Sequence, residues 1–204
     1  QNPILGYSFP FTFAGRIMVA RRAGTSELSR IDYSAVGRPD VWNGEQSSDF
    51  GKEILIGDQT ALTSAIEMAN RFAGNLTATC VLHKATETWL MQGNSPENFS
   101  LFRMSESVGN PAPLSLALAE MPFAVDQQAI RTVALWCSAK GPMMTEGSVL
   151  LPMRFQQPDG AISSVDAYFR PTEQDSRGVN AAAFEAIRGW YDPQWSEYNM
   201  LLPS

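Results

Sequence analysis

The side chains best suited to chemistry in this chain are the carboxylates Asp32, Asp40, Asp49, Asp58, Glu87, Asp166 and Asp192. Cleaving a glycosidic bond takes two such groups roughly 5 to 10 Å apart, one to protonate the leaving oxygen and one to act as base or nucleophile. No spacing along the chain fixes a pair of that kind, so the carboxylates read as turn and surface residues. His83 is the only histidine and there is no Cys-x-x-Cys, which leaves a zinc site or a Cys/His nucleophile short of parts. Cys80 and Cys137 sit in the apolar runs Thr79-Cys80-Val81-Leu82 and Leu135-Trp136-Cys137, where free cysteines pack as small hydrophobes. Whether the two pair is left open. The expectation is a protein that is not an enzyme and holds no cofactor and no metal.

Trp42, Trp89, Trp136, Trp190 and Trp195 lie beside turns. An indole in such a place either stacks on a sugar ring or wedges two layers together. Trp42, Trp89, Trp190 and Trp195 are the candidates for either use. Arg16, Arg21, Arg22, Arg30 and Arg38 recur early in the chain, as candidate interface groups that pair with acidic neighbours or as solvated surface. Ser47-Ser48-Asp49-Phe50-Gly51 matches the first part of the Asp-box turn of sialidase-like propellers, without the Thr-Trp that completes it. It reads as a turn. Asn75-Leu76-Thr77 and Asn98-Phe99-Ser100 fit the glycosylation pattern only as background matches.

The elements that must position these groups are short. Glu87 to Pro113 reads as a β-hairpin, Trp89–Met91 against Phe99–Met104, around the turn residues Gly93 to Asn98. In its second strand Phe99, Leu101 and Arg103 alternate with Ser100, Phe102 and Met104, so both faces are expected to be covered. Pro111 and Pro113 break the pattern, and a new strand is expected from Leu114 to Ala119. Arg16–Arg21 alternates too, Ile17 and Val19 on one face against Arg16, Met18 and Ala20 on the other. Ala61–Phe72 fits strand and helix almost equally, and the β-rich surroundings favour strand. Asn180–Ala186 reads as a short helix, and the chain closes on a hairpin around Asp192-Pro193. About ten to twelve short strands with turns near every ten residues give an all-β sandwich, barrel or propeller. Trp89…Phe99-Ser100-Leu101 and Trp190…Tyr198-Asn199-Met200 echo each other as propeller blades do.

The chain has 204 residues and a formal charge of −6, from 15 basic and 21 acidic side chains. Its longest basic block is Arg21-Arg22. That argues against tight binding of DNA or RNA, which rests on clustered lysines and arginines. An acidic wall, by contrast, repels phosphate and lets DNA slide past. No run approaches the ~20 apolar residues of a membrane span, and Gln1–Leu5 has neither the basic flank nor the apolar run of a signal peptide. A soluble protein is expected, and a start at Gln1 reads as a processed or cut chain, or one with preceding residues omitted.

In their order, several segments resemble β-propeller proteins of tailed-bacteriophage tails, the nozzle-like and DNA-stabilising tail proteins of podoviruses. They are Gly15-Arg16-Ile17-Met18-Val19-Ala20, Ser29–Ser34, Gly37-Arg38-Pro39-Asp40-Val41-Trp42, Glu87–Gly93 with Pro96–Phe99, Val108–Pro113, and Gly189-Trp190-Tyr191-Asp192-Pro193 with Glu197-Tyr198. The resemblance implies a single β-propeller-like domain over residues 1–204, incomplete because blades of about 40 to 50 residues make only about four. It implies a structural component of a virion tail, part of a homo-oligomeric ring with other tail proteins around a DNA channel. The alternatives are a tail module that binds host carbohydrate through exposed tryptophans, and a glycan-cleaving propeller.

Overall fold

Gly, Pro, Asn and Asp punctuate this chain so often that each strand must end before it can join a large sheet. The computed structural model describes residues 7–21, 27–42, 53–72, 75–122, 130–156, 162–164, 169, 179 and 181–203. Within them the chain is all β: seventeen strands in small antiparallel sheets, each built from strands close together in sequence, and none closed into a barrel. This is the incomplete, propeller-like array the sequence predicts. The strand number exceeds the expected ten to twelve because short pieces such as β5 (Ile54–Leu55) pair on their own, and because the segment 150–156 divides into strands with different partners.

The first sheet runs β1 (Tyr7–Phe13), β2 (Arg16–Arg21), β3 (Arg30–Ala35), β4 (Arg38–Trp42), with β5 also on β3. The second is the meander β6 (Leu62–Phe72), β7 (Asn75–Lys84), β8 (Thr88–Gln92), β9 (Ser100–Ser105). The third is β10 (Ala117–Pro122), β11 (Ile130–Ser138), β12 (Gly141–Thr145), β13 (Leu150–Pro152). Two hairpins follow, β14 (Arg154–Gln156) with β15 (Ile162–Ser164), and β16 (Arg188–Asp192) with β17 (Glu197–Leu201). The expected short helix is a 3₁₀ helix, Ala181–Ala186.

Packing follows chain order. Phe11, Phe13, Met18, Ile31 and Tyr33 of the first sheet bury against Leu62, Cys80, Leu82 and Met91 of the second. The opposite face of the second sheet, Met68, Val81 and Leu90, meets Ala134 of the third. Val133 and Leu135 of the third sheet then pack on Tyr191 and Tyr198 of the last hairpin. Because successive side chains on a strand point to opposite faces, Cys80/Val81/Leu82 and Leu90/Met91 serve two interfaces at once. This also decides the ambiguous Ala61–Phe72 segment: as a strand it presents Ala65 to one neighbour and Ile66 and Met68 to the other, and it pairs with β7 along its length.

Three details depart from expectation. The strand predicted from Leu114 begins at Ala117, because Pro113–Ser115 forms a 3₁₀ turn in which Ser115 Oγ donates to Ala112 O at 2.6 Å. The β9 strand is not covered on both faces, since Phe102 is 53 % exposed on this edge strand. The repeat suggested by Trp89 and Trp190 also differs in sense. Each begins a hairpin, but Trp89 packs towards the first sheet whereas Trp190 is exposed.

Both cysteines are free and buried, Cys80 between the first two sheets and Cys137 among Ala112, Phe184 and Ile187. Burial pushes the Cys137 thiol up to about 12, and burial together with the Glu67 carboxylate raises that of Cys80 well above its ordinary value. The thiolate is the reactive form. A thiol reagent at pH 8 is therefore expected to label neither cysteine in the native chain and both in denaturant; labelling of the native chain would contradict this burial.

Candidate functional site

Where the second and third sheets meet, polar residues lie inside the apolar seam. Ser64 on β6 and His83 on β7 are cross-strand neighbours, and their Oγ and Nδ1 stand 3.1 Å apart. Asn110 Nδ2 donates to Ser64 Oγ at 2.9 Å, which ties the chain crossing to this pair. Asn110 Oδ1 accepts from Ala112 N, and Ser115 Oγ accepts from Cys137 N at 2.9 Å. Trp136 lies tilted against the His83 ring, centroids 4.6 Å apart, and donates its Nε1–H to Gly109 O. Tyr198 OH donates to Ser115 O, which ties in the last hairpin.

A serine beside a histidine is two thirds of an acyl-transfer triad, but Asn110 bonds Ser64 rather than orienting the His83 ring. Here the set is sealed: His83 is fully buried, Ser64 nearly so, and His83 Nε2 has no hydrogen-bond partner. The arrangement positions the Val108–Ser115 crossing rather than a substrate. Burial also depresses His83 to about 3, so the ring stays neutral at physiological pH. Sequence reading missed this network because its members are far apart in the chain, and the signal available was only a lone His flanked by apolar residues.

One corner of the second sheet holds a buried cation. Lys84, 1 % exposed, donates to Asp58 O at 2.9 Å, pairs with the Asp58 carboxylate, and lies 3.6 Å from Glu87. Bonds from Lys84 and Thr60 hold the Asp58 carboxyl well below the usual carboxylate range. Trp89 closes the corner: its Nε1 donates to Glu87, the Arg103 guanidinium lies 5.6 Å above its ring, and Gly57, at φ +59°, leaves the space its six-membered ring needs. Trp89 is thus a packing wedge.

The first sheet, β6, and strands β10 and β11 converge on a cleft of about 530 Å³ lined by Thr12, Glu67, Leu118 and Thr132. Glu67 accepts from Thr12 Oγ1 and Ala14 N, and Thr132 donates to Ala69 O. Exposed Glu120 is the cross-strand partner of Thr132, which makes the edge of this cleft acidic.

Among the described residues, no sheet covers either end of the stack. On the outer side of the first sheet, β4 pairs irregularly with β3 and leaves an apolar groove of about 400 Å³ between Pro39 and Trp42 and the residues Tyr7, Pro10, Ile17 and Val19. Trp42 Nε1 donates to Pro39 O at 2.7 Å, and Tyr7 OH to Asp32 at 2.6 Å. At the other end, Trp190 and Leu201 project from one face of the β16–β17 hairpin, 51 % and 63 % exposed, while the opposite face packs inward through Tyr191 and Tyr198.

The sequence candidates therefore separate. Arg16 is not at a surface: alternation puts it on the covered face with Met18 and Ala20, 3 % exposed, where it donates to Ser34 O at 3.1 Å and lies 5.7 Å from the Tyr33 ring. Arg30 binds Glu27, Asp32 and Glu53. Arg38 is 62 % exposed and pairs with Asp40. The Arg21 side chain, Arg22, the Asp49 turn and Asp166 lie outside the described residues. Trp195 is 68 % exposed in the last turn, where Asp192 caps Gln194 N, and Trp136 is buried. Among the described carboxylates, Asp32 pairs with Arg30 and Asp40 with Arg38, while Asp58 and Glu87 share Lys84. No group of three or more His, Cys, Asp or Glu is placed to hold a metal among the described residues, and no described helix is long and apolar enough to cross a membrane. No family model, no curated protein and no solved structure matches the chain.

Proposed function

We propose that the chain is a structural component of a phage tail, one subunit of a ring around the DNA channel. The observation that carries this reading is the stack: sheets buried face to face in chain order, with an apolar face that no described residue covers at each end. Exposed apolar surface of that kind marks an interaction site. A rotational assembly of identical subunits covers such faces without leaving an end. The net charge of −6 and the Glu67/Glu120 edge of the inner cleft suit a lumen that repels phosphate, so that DNA passes without adhering. The resemblance of the ordered segments to podovirus tail propellers points the same way.

Electron microscopy of particles from the source tests this reading. Density for the chain in a symmetric ring on the tail axis is the expected result, and its absence from the virion would overturn it. Peripheral density would favour the second reading, a receptor-binding module, which the exposure of Trp195 at the hairpin tip supports.

A further inference from the structure

We propose that the hairpin face carrying Trp190 docks into the Trp42 groove of a second copy of this chain, head to tail. The inference rests on the assembly reading above and names its interface. Three junctions inside the chain already follow one rule: a sheet face covers the next sheet in chain order, apolar on apolar. The same rule continued past the last hairpin requires an outward face of that hairpin and a receiving sheet face, and among the described residues the Trp190 face and the Trp42 groove meet those two needs.

The shapes and chemistry correspond. Cross-strand pairing puts Arg188 with Leu201, Trp190 with Asn199, and Asp192 with Glu197 on one face of the hairpin, so a projecting indole and an isobutyl group are framed by a cation at one end and carboxylates at the other. The receiving groove, about 400 Å³ and walled by Pro10, Ile17, Val19, Pro39 and Trp42, has room for an indole ring. Beside it lies the exposed Arg38–Asp40 ion pair. An aromatic anchor in an apolar pocket within a charged rim is the usual anatomy of a protein interface. The groove and the hairpin face are different surfaces, so the contact is heterologous and each copy can use both.

Three variants of the whole chain test this. Trp190→Ala removes the anchor at an exposed position, and Val19→Glu places a carboxylate in the groove wall. Trp190→benzoylphenylalanine turns the anchor into a photocrosslinker. In sedimentation experiments the wild-type chain should self-associate, and Trp190→Ala should weaken that association about 30-fold or more. A mixture of Trp190→Ala and Val19→Glu should stop at a one-to-one dimer, because one intact hairpin face meets one intact groove and nothing extends the chain. The crosslinker should attach to residues 7–10, 17–19 or 39–42 of another copy. Self-association unchanged by Trp190→Ala, crosslinks elsewhere, or a wild-type chain that stays monomeric at high concentration would each overturn the proposal. A tail ring that survives Trp190→Ala defeats this interface while leaving the tail reading intact. Head-to-tail assembly of a chain absent from virions does the reverse.

Discussion

Gly109→Ala is expected to destabilise the fold by about 4 kcal/mol, among the largest effects of any single substitution in the chain. The reason is space. A Cβ at Gly109 would lie 2.3 Å from Lys84 O, 2.5 Å from Glu87 N and 2.6 Å from Thr86 N, all backbone atoms of the tight β7–β8 turn. Backbone cannot rotate aside as a side chain can, so the 108–110 crossing must lift. That movement would break Asn110 N to Lys84 O at 2.8 Å, Thr88 Oγ1 to Val108 O at 2.7 Å, and the Trp136 Nε1 bond to Gly109 O. Each broken bond would leave a buried polar group unpaired. Gly37→Ala is the control. Gly37 has φ +64° and nothing within 4 Å of its would-be Cβ, so only backbone strain applies, about 1 to 2 kcal/mol. Chemical denaturation of both variants decides the matter, and equal losses would mean that the crossing is not as tightly held as its contacts indicate.

The second large effect is a loss of stability in acid, centred on His83. The unfolded chain takes up a proton at this residue near pH 6.5, whereas the folded chain does so only near 3, because burial disfavours the imidazolium. Between those values the unfolded state holds more protons, so stability falls as pH falls. The contribution is fully present above the unfolded value and is lost progressively down to about 3. Linkage puts the loss between pH 7 and pH 4 at about 3 kcal/mol. Asp58 acts with the same sign in a lower window: its carboxylate is held ionised by Lys84 and Thr60, and that support disappears as pH drops below its ordinary 3.8. His83→Gln should lower stability at pH 7 yet flatten the dependence between pH 6.5 and 4. If the variant retained the full slope, the acid sensitivity would belong to another group.

Neither of these residues stands out in the sequence for the reason it matters. Gly109 sits in Val108-Gly109-Asn110-Pro111, which reads as a break in a pattern. Its importance comes from Lys84, Glu87 and Thr86, whose backbone crosses directly beneath it. His83 reads as a lone histidine with too few partners for chemistry. Ser64, Asn110 and Trp136 supply its surroundings from three other segments.

What the sequence determined by itself is local. The turn residues set strand lengths, and alternation set which side chains share a face: Met18 and Ala20 inward with Arg16, Ile17 and Val19 outward. Those two rules are enough for an all-β array of small antiparallel sheets, because hairpin pairing is decided by neighbours in the chain. Tertiary structure decided everything that depends on which face meets which. It made Arg16 a core residue, sealed Ser64 and His83, turned Trp89 into a wedge over Gly57, and left Trp42 and Trp190 on the outermost faces of the described sheets. Alternation divides residues into two faces but does not say which face another sheet will cover. That choice rests on burial between segments distant in sequence, and it separates the packing tryptophans Trp89 and Trp136 from the exposed Trp190 and Trp195.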